Sequence, residues 1–248
     1  MKAFFKYLAI QFKMDFRDKG TLLSYYLMPL LFFLAIGPVF ASVNPMIKPT
    51  LAASMGIFAI TMGAITGAPL PLVRLRESGT LRAFKVNGIP PAAVLAVHAL
   101  SALIHLLLVC AVIFVVSPLL LHSDMPRQPV VFFLILILLI IASTGVGILI
   151  GVTARNHAVA SVASMLIFFP SAMLSGMMFP ANMLPKAFVM LGRFFPATQA
   201  LQASVGLAYG QQTDYSPTLA LLVLAGTAIV LFALAVWRFN SVRQSEKA

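Results

Sequence analysis

Two histidines, His98 and His105, stand seven residues apart inside a stretch of 30 residues, 92–121, that contains no Asp, Glu, Lys or Arg. At 100° per residue they share one helical face, a spacing that would suit two metal ligands or two stations of a proton relay. Two ligands do not make a metal site. Polar side chains in so apolar a segment usually face the inside of a bundle, so both read as neutral imidazoles, hydrogen-bonded there or facing a wet pathway. The other groups that catalysis needs are missing: there is no H-E-x-x-H, no G-x-S-x-G and no pair of carboxylates in an apolar stretch. Cys110 is the only cysteine, which excludes an internal disulfide and a multi-cysteine metal site; it reads as a small packing hydrophobe. No lysine follows a glycine, so the phosphate-binding G-x-x-x-x-G-K-[ST] loop is absent. No residue is assigned as catalytic, metal-ligating or substrate-binding.

The elements that hold these residues follow from composition. Of 248 residues, 61% are hydrophobic and 9% charged, and the mean hydropathy is +1.01. A water-soluble domain of this size has no core large enough to hide that much apolar surface. A bilayer core of about 30 Å needs roughly 20 apolar residues as helix. Six stretches meet that length without an Asp, Glu, Lys or Arg: 21–40, 51–72, 92–121, 130–152, 158–179 and 218–236. Barrel strands would alternate in hydrophobicity, whereas 130–141 is apolar without a break. The predicted fold class is therefore all-α, a polytopic membrane protein of six transmembrane helices in a single domain, 1–248. Lys2, Lys6 and Lys13 interrupt the first apolar residues and no small-residue cleavage site follows, so the start does not read as a signal peptide.

The net charge of +11 would point to nucleic acid in a soluble chain, but in a membrane protein it marks cytoplasmic segments, and no nucleic-acid partner is inferred. With the N-terminus inside, thirteen cations fall on cytoplasmic segments, leaving only Lys48, Arg127, Lys186 and Arg193 outside. Both termini are thus expected in the cytoplasm, with Trp237 anchoring the last span at the interface.

Three segments between the spans carry more than topology. In 1–20, Lys2, Lys6, Lys13 and Arg17 share a narrow helical face, opposite Phe4, Phe5, Leu8, Phe12 and Phe16. This predicts an amphipathic interfacial helix on membrane lipid, the alternative being a plain topology signal. Segment 73–91 holds four cations and one carboxylate, Glu77, beside a turn-forming Ser78-Gly79-Thr80; it reads as a short capped helix or as a solvated basic loop. Glu77 is the only acidic residue between Asp18 and Asp124, and an intrahelical ion pair with Arg74 is its plain structural use. Segment 180–217 has only Lys186, Arg193 and Asp214 as charges, too apolar for an exposed linker. It predicts short external re-entrant helices, an external helical cap over 180–217, with Gly176, Pro180 and Pro185 breaking the fifth span and turning the chain back over the mouth of a pathway. Gly63-x-x-x-Gly67 and Gly147-x-x-x-Gly151 signal close helix packing, within the chain or across a dimer.

Ion-coupled carriers place ionisable groups in their spans, and these spans offer two histidines alone; any pumping draws its energy from elsewhere, with a separate ATPase the natural supplement. The whole pattern resembles the ABC type-2 permease family, the six-span membrane subunits of ATP-binding-cassette exporters. The resemblance rests on the amphipathic start, RLRESGTLRAFKVNGIPP after the second span, IGVTARNHAVAS between the fourth and fifth, and LSGMMFPANMLPKAFVMLGRFFPATQAL after the fifth. It implies a permease dimer, of two copies or two related chains, with ABC ATPase subunits that carry ATP and Mg, and no cofactor on this chain. It implies further that the first helix is a connecting helix and that Arg76, Glu77, Ser78, Gly79, Thr80, Leu81 and Arg82 form the coupling element that docks on the ATPase. Gly176, Pro180 and Pro185 would belong to an external cap over the exit. Outward movement of an amphiphilic or hydrophobic substrate through the cell membrane is the function it implies. A passive channel, or an intramembrane enzyme, is the alternative.

Overall fold

The computed structural model describes residues 2–43, 45–80, 84, 86, 90–179 and 183–245. Leu81, Arg82, Lys85 and Pro180 lie outside the described residues. The architecture is all-α, 84% helical, with no strand among the described residues. A peripheral helix α1 (Lys2–Asp15) precedes six helices long and apolar enough to cross a membrane: α2 (Lys19–Ser42), α3 (Lys48–Glu77), α4 (Pro91–Leu121), α5 (Pro129–Thr153), α6 (His157–Leu174) and, last in the chain, α9 (Pro217–Ser245). Two short helices, α7 (Lys186–Gly192) and α8 (Pro196–Ala203), lie between α6 and α9.

Local chemistry sets these boundaries. Pro91, Pro129 and Pro196 stand in the first turn of their helices, where the missing N–H costs nothing and the ring presets φ. α4 stops at His122, whose φ of 52° is left-handed. α6 starts where the Asn156 side chain accepts from the Val159 N–H at 2.9 Å. It ends at Leu174, five residues short of the predicted limit, because Gly176 takes a φ of +88° that a helix cannot continue through.

The core gathers around α5. Phe132, Ile135, Leu136, Leu139 and Ile140 pack with Ile57 and Ile60 of α3, Leu106 of α4 and Leu224 and Ala228 of α9. α3 is buried on every side from Leu51 to Thr61, while α2, α6 and α9 keep one apolar face outward, as lipid-facing helices do. Both glycine motifs act within the chain. A Cβ on Gly151 would come within 2.8 Å of the Pro69 carbonyl oxygen, and one on Gly147 would meet that of Ala64, so α3 and α5 touch backbone to backbone. Gly63 and Gly67 make room for the Tyr25 ring where a π-helical turn of α2 (Leu23–Leu27) abuts one of α3 (Gly63–Gly67).

Segment 180–217 holds two short helices: α7 leaves Phe188, Met190 and Leu191 exposed, and α8 re-enters the protein with Ala197 to Ala203 all buried. Buried Thr198, Gln199 and Gln202 are paired inside, which makes the re-entry tolerable. The inward face of α1 carries polar groups beside its aromatic ones. Tyr7, Gln11 and Asp15 recur every four residues on it and turn toward α4, with Gln11 and Asp15 buried. The cations of α1 do point away, since Lys6, Lys13 and Arg17 are exposed.

Candidate functional site

At the basic end of the bundle, α3 projects its last turn, and its two arginines there take different partners. Arg74 Nη1 lies 2.8 Å from Asp18 Oδ1, 56 residues earlier. Asp18 caps α2 at the same time, accepting from the Thr21 N–H at 2.9 Å and the Thr21 hydroxyl at 2.8 Å. Partial burial alone would raise the Asp18 carboxyl, but the bonds from Thr21 and Arg74 outweigh it and hold it below its ordinary value. Arg76 points the other way, donating to the Val152 carbonyl at 2.9 Å and to that of Ala154. Its guanidinium thus closes the C-terminus of α5, where free carbonyls and the helix dipole both favour a cation.

Glu77 is left exposed. It makes no ion pair or hydrogen bond among the described residues, and the intrahelical pair with Arg74 does not form because Asp18 has taken that guanidinium. Ser78 and Thr80 share a hydroxyl contact of 2.8 Å, and Gly79, at φ +70°, makes the turn with open space around it. Arg76, Glu77, Ser78, Gly79 and Thr80 are therefore contiguous at the tip; Leu81 and Arg82 lie outside the described residues. The start of α1 reaches the same region, with the Tyr7 ring edge-on to Phe84 at 5.4 Å. Burial, and then the nearby Asp15 carboxylate, push the Tyr7 phenol up to about 12.

The two histidines are both inside the bundle. His105 is fully buried between the Phe12 and Tyr25 rings, with its Nδ1 2.6 Å from the Tyr26 hydroxyl and its Nε2 3.5 Å from Asp15 Oδ2. His98 lines a small cavity with Asp15 and Thr144. No three His, Cys, Asp or Glu side chains converge as a metal site among the described residues.

At the opposite end, Gly176 lines a polar cavity of about 220 Å³ between α6, α7, α8 and the segment leading to α9. Arg193 covers the Tyr215 ring at 4.9 Å, the Tyr215 hydroxyl donates to Gln199 Oε1 at 2.8 Å, and Gln202 pairs twice with Asp214. Burial, aided by Asp214, raises the Tyr215 phenol despite the opposing Arg193 charge. Pro185 stands just before α7, outside this cavity. A second, apolar groove of about 580 Å³ runs along α5 and α6 from Thr153 and Val159 to Phe194 and Pro196. Spanning Val159 to Ser171 on α6, it is about 18 Å long at 1.5 Å per residue, more than half a bilayer core.

Sequence reasoning reached Glu77 and Gly176 through charge and turn chemistry. It missed Asp18, Arg76 as an α5 cap, and Asp15. The signal for Asp15 was its place in the Tyr7, Gln11, Asp15 series, a polar stripe on the helix face away from the lysines.

Six helices among the described residues that are long and apolar enough to cross a membrane define a multi-pass membrane protein. The sequence profile of the ABC-2 type transporter family matches residues 2–209, from α1 to the end of the buried re-entrant segment. The chain belongs to that family and is a membrane subunit of an ABC transporter, a transport subunit and not itself a catalyst. No curated protein matches it.

Proposed function

We propose that this chain is the permease of an ATP-driven exporter, with both termini in the cytoplasm of the cell and its basic end docked on a separate ABC ATPase that carries ATP and Mg. The observation that supports this best is Glu77: an exposed carboxylate without a partner among the described residues, at the tip of a helix whose neighbouring arginines are committed to α2 and α5. A free charge on a rigidly held tip suits recognition by another subunit. Because Arg74 leads to Asp18 and Arg76 to the end of α5, a push on this tip reaches α2 and α5 directly. The coupling element would comprise Arg76, Glu77, Ser78, Gly79, Thr80, Leu81 and Arg82. Family members act with an ATPase subunit, which favours the same reading.

The outward apolar faces of α2, α6 and α9 leave room for a second permease, identical or related, besides membrane lipid. The apolar groove along α5 and α6 favours an amphiphilic or hydrophobic substrate. Gly176, Pro180 and Pro185 would belong to an external cap, with the polar cavity beneath it as an exit vestibule.

The test is Glu77→Ala in complexes reconstituted with the cognate ATPase. A buried hydrogen-bonded charge across an interface costs roughly 2 to 5 kcal/mol when truncated, whereas an exposed side chain with no partner costs next to nothing. Glu77→Ala should leave membrane insertion and the isolated ATPase intact while weakening assembly or uncoupling hydrolysis from export. Wild-type assembly and transport in Glu77→Ala, and equally in Thr80→Ala, would remove this element from the coupling path.

A further inference from the structure

The polar cavity at the end opposite the Glu77 tip is lined by both Arg193 and Asp214, and no ion pair joins them among the described residues. Each is held instead by a buried glutamine of α8. Gln199, 4% exposed, donates from Nε2 to the Arg193 carbonyl at 2.6 Å and accepts at Oε1 from the Tyr215 hydroxyl at 2.8 Å, and the Tyr215 ring carries the Arg193 guanidinium at 4.9 Å. Gln202, 9% exposed, donates to Asp214 Oδ2 at 2.8 Å and accepts from the Asp214 N–H at 3.0 Å. The two amides stand one turn apart on one face of α8, and each uses both its ends to place one charge.

An exposed arginine near a carboxylate gains little by pairing with it and is free to swing. Here a stacked guanidinium and a doubly bonded aspartate are kept apart in one cavity. Asp214 Oδ1 takes no hydrogen bond among the described residues, and the Arg193 guanidinium donates none. The space is about 220 Å³, many times the roughly 10 to 15 Å³ that one bridging water needs, so a solute fits where a water would rattle. Ser54 adds a hydroxyl, and Leu174, Val189 and Val205 an apolar wall. A lone anion held by Arg193 would meet the Asp214 carboxylate, and a lone cation held by Asp214 would meet the guanidinium. The ligand that completes the cavity carries both signs: an ammonium for Asp214 Oδ1, and a carboxylate or phosphate for the planar Arg193 fork, which binds such groups through two parallel N–H bonds.

We propose that this cavity binds a zwitterion that joins a primary ammonium to a phosphate or carboxylate, with Asp214 taking the ammonium and Arg193 the acid. Arg193 ends α7 and Asp214 lies in the segment leading to α9, so an occupant ties these two stretches together over α8. The chemistry is shared by free phosphoethanolamine and amino acids and by the headgroup of phosphatidylethanolamine. The proposal gives a ligand to the cavity assigned above as an exit vestibule, and rests on that reading only for the side from which the ligand arrives. Binding itself needs neither an ATPase nor export.

The test titrates the full chain, purified in delipidated maltoside micelles, by calorimetry with O-phosphoethanolamine and with its two halves, ethanolamine and inorganic phosphate. The zwitterion should bind at least about tenfold more tightly than either half, the gain of one further charge-assisted contact. Asp214→Asn can keep the Gln202 bond through its carbonyl while losing the charge; it and Arg193→Gln should each weaken O-phosphoethanolamine about tenfold, and Asp214→Asn should not weaken phosphate. Displacement of the probe by added phosphatidylethanolamine assigns the site to a lipid headgroup, and no displacement assigns it to a free zwitterion. Equal displacement by phosphatidylglycerol, which has no ammonium, would reduce the cavity to an anion site and overturn the proposal. So would wild-type affinity in both variants. Equal affinity of the wild type for the zwitterion and its halves, or no binding of O-phosphoethanolamine, overturns it even if neither variant folds. Either result leaves the exporter reading standing, because that is tested at Glu77, at the other end of the chain's bundle.

Discussion

Arg76 shows how one side chain can join two helices. Its guanidinium donates to two carbonyls at the end of α5 while its backbone belongs to α3. Hydrogen bonds from a charged group contribute about 1.5 to 3 kcal/mol each at best, and half-burial places Arg76 below that ceiling. Arg76→Ala should lower the melting temperature of the purified chain, and Arg76→Lys should recover only part of the loss, because an ammonium cannot reproduce the planar fork. Equal melting of all three would mean that water serves those carbonyls as well. Asp18 provides a pH test. Its carboxyl is lower in the folded chain than unfolded, so its contribution is present above the ordinary carboxylate range and is lost as the pH falls through the folded value. The stability difference between wild type and Asp18→Asn, measured by thermal melting, should be present at neutral pH and vanish on acidification. A difference that grows in acid would contradict that linkage.

At the scale of elements, α3 and α5 are held at backbone contact by Gly147 and Gly151. A side chain at either must force the helices apart, and overpacking of this kind costs about 1 to 3 kcal/mol or more. Gly147→Val or Gly151→Leu should reduce the yield of folded chain and its melting temperature, while Gly226→Ala, at a position with open space around it, should not. Melting curves of the three variants decide the point. The connection after α6 depends on backbone freedom instead: at φ +88° any L side chain on Gly176 is strained, and the turn it makes sends the chain toward α7 and the buried α8. α8 is held by its own polar side chains, Thr198 to the Gly192 carbonyl at 2.6 Å and Gln199 to that of Arg193 at 2.6 Å.

For the whole molecule, the cation distribution and the bundle make one joint prediction. Arg127 and Lys186 are exposed at the end with few cations, Arg155 and Val86 at the basic end. With Cys110 replaced by alanine, single cysteines at Arg127 and Lys186 should react with impermeant thiol reagents added outside intact cells. Those at Arg155 and Val86 should react only after permeabilisation. Outside labelling at Arg155 would invert the orientation and place the Glu77 tip on the wrong side of the membrane for an ATPase.

The number and order of the six crossings were determined by the sequence alone, because the cost of placing a charge in hydrocarbon depends on local composition and adds along the chain. The segregation of lysines on α1 and the breaks at Gly176 and Gly79 were legible for the same reason, each being a property of a few adjacent residues. Tertiary structure decided what the polar minority does. Asp15 meets His105 from 90 residues away, Arg74 leaves its helical neighbour Glu77 for Asp18, and the amides of residues 196–208 find their partners across the segment leading to α9. In an apolar bundle a few charges and amides must find partners or remain unsatisfied. Which partner each one finds depends on how distant helices are juxtaposed, and no local window of sequence contains that information.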